Sequence, residues 1–273
     1  MNRNTFILIL VLSAFLAAGV LVAGASGSAS VQDKPKDQLQ KGKIYQETYQ
    51  LLTDTDLYCS FSVLDGPLPD LKVIGAEGEE DHTLLADGDV IYLNGGTKQA
   101  VAAGQVYLLF EKMDDVTSSR TGKNYGPLIQ RDGRGRVIRV DEKRTVLRIE
   151  KSCEAVKVGD YAVLFTEKKG VMGKDTRFVP YARERADQAK GQVIYLAGEL
   201  TQIASNHWAV IDLGKEDGLQ LGSQVTISTA AAKNLPSHAV ASAVVIDVQS
   251  RTATIRVLSA SDVIRMGYEV TVK

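Results

Sequence analysis

VIYLNGGTKQAVAAGQVYLLF at residues 90–110 and AVIDLGKEDGLQLGSQVTI at residues 209–227 decide the fold. Each begins as an apolar, β-branched run and breaks at Asn or Asp followed by Gly. Each then brings back one apolar residue and turns at a further Gly into a second apolar run. Gly96 stands with Gly214, Gly104 with Gly222, Asn94 with Asp212 and Val101 with Leu219. Short runs of Val, Ile, Leu and Tyr punctuated by Gly, Asp and Asn are the signature of strands joined by turns. Two occurrences of one such pattern make an internal repeat.

The match extends downstream. GRVIRVDEKRTVLRIEKSCEAVKVGDYAVLF (135–165) aligns without a gap with SAVVIDVQSRTATIRVLSASDVIRMGYEVTV (242–272), once its first residue is set aside. Val137 meets Val245, Val140 Val248, Leu147 Ile255, Ile149 Val257, Val156 Ile264 and Gly159 Gly267. Cys153 falls opposite Ser261, so the cysteine belongs to one copy and not to the unit. The polar DEKR (141–144) between two strand patterns predicts a β-hairpin. At period two, Val137 and Leu147 share one face while Arg136, Arg148 and Glu150 point away. Gly96, Gly104, Gly159, Gly214, Gly222 and Gly267 are the expected turn positions. The fold expected is mainly β: two tandem small barrel- or sandwich-like units of about five strands each, closed to hide their edges.

The remainder of the chain reads differently. Arg3 is the only charged side chain before Asp33, and residues 6–25 are apolar or small apart from Ser13. A basic start, an apolar centre and a small-residue end predict a secretory leader, with Ala23-Gly24-Ala25 as cleavage signal and Ser26 as the new N-terminus. About 20 apolar residues also suffice to span a bilayer, so an inner-membrane anchor over 6–25 is the alternative. The divisions expected are 1–25 leader or anchor, 26–58 flexible tether and entry segment, 59–167 first β-unit, 168–190 linker and 191–273 second β-unit. The spacing in 41–58 leaves helix and strand both open. Export places the protein in the periplasm or outer envelope. There an even cysteine count permits one disulfide, Cys59 with Cys153. Two buried thiols are the alternative, and geometry decides.

A net charge of −1 provides no field for capturing nucleic acid by counterion release. His82, His207 and His238 lie in no metal-ligand spacing, and neither cysteine is in C-x-x-C. Neither a G-x-S-x-G elbow nor a G-x-x-x-x-G-K-[ST] phosphate loop occurs. No catalytic, cofactor-binding or metal-ligating residue is assigned. The acidic run Glu77, Glu79, Glu80 and Asp81, with Asp87 and Asp89, lacks calcium-loop spacing and reads as a solvated loop. One basic cluster stands out, Arg131, Arg134, Arg136, Arg139, Lys143, Arg144, Arg148 and Lys151, with Arg134, Arg136, Arg139, Arg144 and Arg148 as its candidate interaction surface. It is either a wet strand face or a surface for an acidic partner or anionic glycan. Trp208, Tyr181 and Tyr195 read as core aromatics or as a sugar-stacking face.

The run strand–Asn/Asp–x–Gly–x₃–Gly/Ala–Val/Leu–x₂–Gly, followed by Thr121-Gly122-Lys123-Asn124-Tyr125-Gly126, resembles the β-rich region that accompanies LysM modules in exported bacterial envelope proteins. More distantly it is similar to the C-terminal domain of flagellar assembly protein T. The resemblance covers roughly residues 60–273 as two copies and implies a fold and an envelope location, with no catalytic residues. The LysM module has no counterpart in 26–58, so peptidoglycan binding does not carry over. Ala100 departs from the pattern that Gly218 keeps, and Tyr268 stands opposite Asp160. The function expected is an exported, non-enzymatic β-repeat module that holds another envelope protein through sheet edges or loops such as 113–127. Cell-wall glycan is the alternative ligand. No nucleic acid is expected, and membrane contact arises only through an uncut N-terminal segment.

Overall fold

The structure is a computed structural model that describes residues 48–78, 84–181, 187–229 and 237–273. The leader and tether expected over 1–47 lie outside the described residues. Among those described, no helix is long and apolar enough to cross a membrane.

The entry segment resolves the helix-or-strand question with one of each. Strand β1 (Tyr49–Gln50) is followed by helix α1 (Asp54–Tyr58). Thr53 caps α1: its hydroxyl accepts from Asp56 N–H, and the Asp56 carboxylate accepts from Thr53 N–H at 2.8 Å. This reciprocal box fixes where so short a helix starts. Strand β2 (Ser62–Val63) follows.

The first repeat contributes β3 (Val73–Ala76), β4 (Val90–Leu93), β5 (Val106–Thr117), β6 (Asn124–Val140), β7 (Thr145–Ser152) and β8 (Tyr161–Leu164). They lie in the order β3-β4-β7-β6-β5-β8, with β2 added on β6. The ends meet: Lys72 bridges Tyr161, Val73 N–H donates to Asp160 O, and Gly159 N–H donates to Val73 O. After a short strand β9 (Met172–Gly173), paired with β1, the second repeat contributes six more. These are β10 (Lys190–Leu196), β11 (Trp208–Ile211), β12 (Gln224–Ser228), β13 (Ala239–Val248), β14 (Ala253–Ala260) and β15 (Glu269–Val272). They form a closed barrel in the order β10-β11-β14-β13-β12-β15.

Strand for strand this is one topology twice, and the registers agree residue by residue. Val106 pairs with Arg136 as Gln224 does with Val244, and Gly133 with Ser152 as Ala241 does with Ala260. The closing bonds recur too, Val193 N–H to Tyr268 O and Gly267 N–H to Val193 O. Each unit has six strands where the sequence pattern suggests five; the additional one is the opening strand, VIGA in one copy and VIYL in the other. Each barrel has its own apolar centre: Leu93, Leu109, Leu147 and Ile149 in the first, Ile211, Ile227, Ile255 and Val257 in the second.

The turn glycines earn their place by contact as well as by angle. A Cβ on Gly96 would lie 2.3 Å from Asp141 O, and one on Gly214 would lie 2.4 Å from Ser250 O. No side chain fits either position without moving a backbone. The neighbouring turn residue is left-handed in both copies, Gly218 at φ 83° and Ala100 at φ 58°. Copy one therefore carries an alanine where its backbone favours glycine.

Residues 113–127 are not a free loop: they belong to an arm formed by the outer halves of β5 and β6. Val116, Tyr125 and Leu128 of this arm are buried with Phe61, Val63, Ile194 and Val210. The stretch after β8 runs against the second barrel, where Val171 packs with Leu51, Leu57, Val244 and Ile246.

Candidate functional site

The junction between the barrels is built around charge. Arg131 on β6 and Asp247 on β13 form an ion pair at 2.7 Å with both side chains 6% exposed. The Arg131 guanidinium also donates to the Ser60 carbonyl and to the hydroxyls of Ser60 (3.0 Å) and Ser62 (3.1 Å). Lys168 Nζ and the Gln249 amide complete the shell of Asp247. Burial alone would push the Asp247 carboxyl up, but Arg131 and then Lys168 hold it down at about 2. Lys168 is itself lowered, by burial first and by Arg131 second, against the pull of Asp247. A buried pair of this kind adds little over an apolar contact, yet leaves a costly orphan if one partner is lost.

The segment 51–65 is the wedge of this junction. Asp56 accepts from Trp208 Nε1 at 2.9 Å and lies 3.5 Å from the Arg256 guanidinium. Phe61 meets Trp208 and Tyr195 edge-on, at 6.1 and 5.2 Å between centroids. The Cys59–Cys153 disulfide ties the same segment to the end of β7 in barrel one. One stretch of chain is thus covalently fixed to one barrel and hydrogen-bonded to the other.

Beside the disulfide lies a pocket of about 130 Å³ walled by Tyr58, Phe165, Leu108, Arg134, Lys151 and Asp54. The Tyr58 and Phe165 rings are 5.2 Å apart. Arg134 stands over both, 5.6 and 5.4 Å from their centroids. The Tyr58 hydroxyl donates to Lys168 O and accepts from Lys168 N–H, so the ring is held by its outer end to the Lys168 backbone. Aromatic faces under a guanidinium, with a second cation at the rim, suit a ligand that has an apolar body and an anionic end.

No protein-family model matches the chain, and no curated protein is detectably similar to it.

The structure divides the basic cluster, with Arg131 buried in the junction and Lys151 at the rim of the pocket. Arg134 is half-buried in the pocket just described. Arg136 and Arg148 stand opposite each other on the exposed face, Arg136 paired with Glu150. Arg139 is paired with Asp141 at 3.1 Å near the β6–β7 turn, where Arg144 is also exposed. Trp208 and Tyr195 belong to the junction, while Tyr181 is exposed against His238. His207 sits at an exposed turn, 3.2 Å from Ala204 O. His82 and the acidic residues 79–81 lie outside the described residues. Asp87 accepts from Ser152, and Asp89 from Ala86 N–H at 2.9 Å. Among the described residues no three His, Cys, Asp or Glu side chains are grouped to hold a metal ion.

A second cleft has no counterpart among the sequence-predicted sites. Glu111, Gln130, Asp132, Glu154 and Lys157 of barrel one face Tyr195 and Gly198 of barrel two across about 280 Å³. Asp132 is the additional residue of a β-bulge, between Arg131 opposite Phe110 and Gly133 opposite Leu109. Burial, with Asp160 and then Glu111 adding repulsion, pushes its carboxyl up to about 8. Asp160 is raised too, by burial above all.

Proposed function

We propose that this chain is an exported, non-enzymatic module of a bacterial cell envelope that holds another envelope protein. The observation that carries the reading is the Cys59–Cys153 disulfide. It joins the wedge to barrel one across 94 residues of sequence, and such bridges persist in oxidising compartments outside the cytoplasm. The leader pattern over 1–25 and the resemblance to LysM-associated envelope regions support the same location. The Arg134–Tyr58–Phe165 pocket supports a binding role, because its walls are fixed in place by the disulfide and by Lys168. A docked segment would place an apolar side chain on the rings and a carboxylate beside Arg134 and Lys151.

Fractionation, N-terminal sequencing and site-specific photocrosslinking from the exposed Lys151 position test this reading. The expected result is mature protein in the periplasmic or envelope fraction, with its cysteines resistant to alkylation and one protein adduct. Recovery in the cytoplasm with two alkylatable thiols would overturn it. The aromatic pocket also favours a second reading, a cell-wall glycan ligand. Cosedimentation with purified sacculi, lost in Tyr58→Ala, would select that reading over the first.

A further inference from the structure

The two barrels provide an internal control for which residues the fold requires. By strand register Asp132 occupies the position of Val240, in the bulge between Ala239 and Ala241. Val240 is fully buried in the apolar core of barrel two. Asp160 occupies the position of Tyr268, which packs against that same core. The fold is therefore satisfied by apolar residues at both places. Copy one instead buries two carboxyl groups there, with Asp132 only 2% exposed. As a carboxylate, Asp132 has in its Oδ2 the one buried side-chain oxygen or nitrogen without a hydrogen-bond partner among the described residues; protonated, it shares a hydrogen bond with Asp160. Ionised and unpaired, such an acceptor costs about 1–3 kcal/mol.

The surroundings indicate what it awaits. Asp132 lines the cleft between the barrels together with Glu111 from β5 and with Glu154 and Lys157 from the β7–β8 connection. Asp160, at the start of β8, lies behind it and accepts from Lys157 N–H at 2.6 Å. Three carboxyl groups thus line the cleft, with Asp160 behind them, beside a single ammonium, that of Lys157, which is committed to Glu111 at 2.9 Å. The cleft, at about 280 Å³, falls just below the roughly 300–1,000 Å³ of sites for drug-sized ligands. That is the scale of one long side chain or one small amine. No three carboxylates are grouped for a metal ion among the described residues, whereas Lys157 already shows that an ammonium is accommodated.

We propose that this cleft binds an organic cation, the ammonium or guanidinium head of a small amine or of a partner's lysine or arginine side chain, with Asp132 as its principal acceptor. The site is separate from the Arg134 pocket and does not rest on the function proposed above. Without a ligand the Asp132 carboxyl holds a proton at neutral pH, because burial, Asp160 and Glu111 raise it. A cation favours the carboxylate, so binding expels that proton, and affinity rises with pH until the free carboxyl is ionised.

Calorimetric titration of the full chain tests this, with agmatine and, separately, an end-blocked Gly-Arg-Gly peptide, at pH 6.0, 7.5 and 9.0. The expected result is binding of at least one probe, about tenfold or more tighter at pH 9.0 than at 6.0. Near pH 7.5 proton release should be visible as a heat that depends on the buffer. Asp132→Asn should weaken binding at least tenfold and abolish both the pH dependence and the proton release. Glu154→Gln should weaken binding while leaving the proton release in place, which covers the case that the first variant does not fold. Agmatine without the peptide points to a free amine, and the peptide without agmatine to a partner's side chain; either supports the proposal. No heat with either probe, or Asp132→Asn binding like wild type, would overturn it. So would calcium binding that Asp132→Asn removes.

Discussion

Asp132 should make this protein less stable as the medium becomes more alkaline, and Asp132→Asn should remove that dependence. The native carboxyl titrates at about 8, raised from the ordinary 3.8. Between those values the folded state holds a proton that the unfolded state has released, so stability falls as pH rises. At about 1.4 kcal/mol per pH unit the ceiling is about 6 kcal/mol. Asp160 and water entering the cleft relax part of this, leaving an expected loss of about 2–3 kcal/mol between pH 5 and 9. For a body of this size, at about 2–4 °C per kcal/mol, the melting temperature should drop by about 5–10 °C. Asparagine matches the protonated acid in shape and charge, and its amide can donate to Asp160. The variant should therefore melt within about 2 °C of wild type at pH 5, and well above it at pH 9. Thermal unfolding by circular dichroism across pH 5–9, without added amines, measures both curves. Parallel curves for the two proteins would refute the reasoning.

Asp247→Asn leaves Arg131 buried without its counter-charge and should cost about 3–5 kcal/mol in urea unfolding. In wild type the Asp247 carboxyl, held at about 2, contributes stability above its ordinary titration range. That contribution should be lost as pH falls from about 4 towards 2, and the acid-unfolding curve of the variant should lack this step. Reducing Cys59–Cys153 removes a cross-link spanning 94 residues. Chain-entropy arguments value this at about 4–5 kcal/mol, so a lower urea midpoint is expected, along with a Trp208 emission change as Asp56 is released from its indole. Ala100→Gly relieves a left-handed alanine at a cost in chain entropy and should give a net gain of a few tenths to about 1 kcal/mol, read as a small rise in melting temperature.

The barrels were legible because their information is local and repeated. A period-two pattern marks which face is buried, and glycine at a site where any Cβ would strike a carbonyl, as at Gly96 and Gly214, leaves a trace that survives divergence. The opening strands were not legible as members of the repeat, since VIGA and VIYL share only Val and Ile. The disulfide was legible as a possibility from an even cysteine count in a chain whose leader pattern predicts export, and its pairing became visible only in the fold. The junction was not legible. Arg131 reads as one more residue of a basic strand, and nothing local says that its partner lies 116 positions away. The Asp132 cleft did leave a signal in the aligned copies. Asp160 opposite Tyr268 is visible there, and continuing the gapless match back to the bulge sets Asp132 opposite Val240, a buried acid facing a buried aliphatic.

Divergence between the copies also shapes how the two barrels pair. Barrel one docks through its arm and Arg131 onto the Ile194, Val210 and Asp247 face of barrel two, so the two contacting surfaces are different. A contact between unlike faces of identical units has no natural end and propagates as a ring or filament. Here each free face has diverged from its buried twin. The position of Asp247 is held in barrel one by Arg139, of opposite charge and already paired with Asp141. The position of Arg131 is held in barrel two by Ala239, which has no charge to offer. Ile194, 5% exposed under the arm, corresponds to Ile74, which is 46% exposed on barrel one. An arm approaching barrel one's open face would find an apolar anchor and a repelling guanidinium where its own arginine needs a carboxylate. The Arg131–Asp247 ion pair therefore has no counterpart at either register-equivalent position.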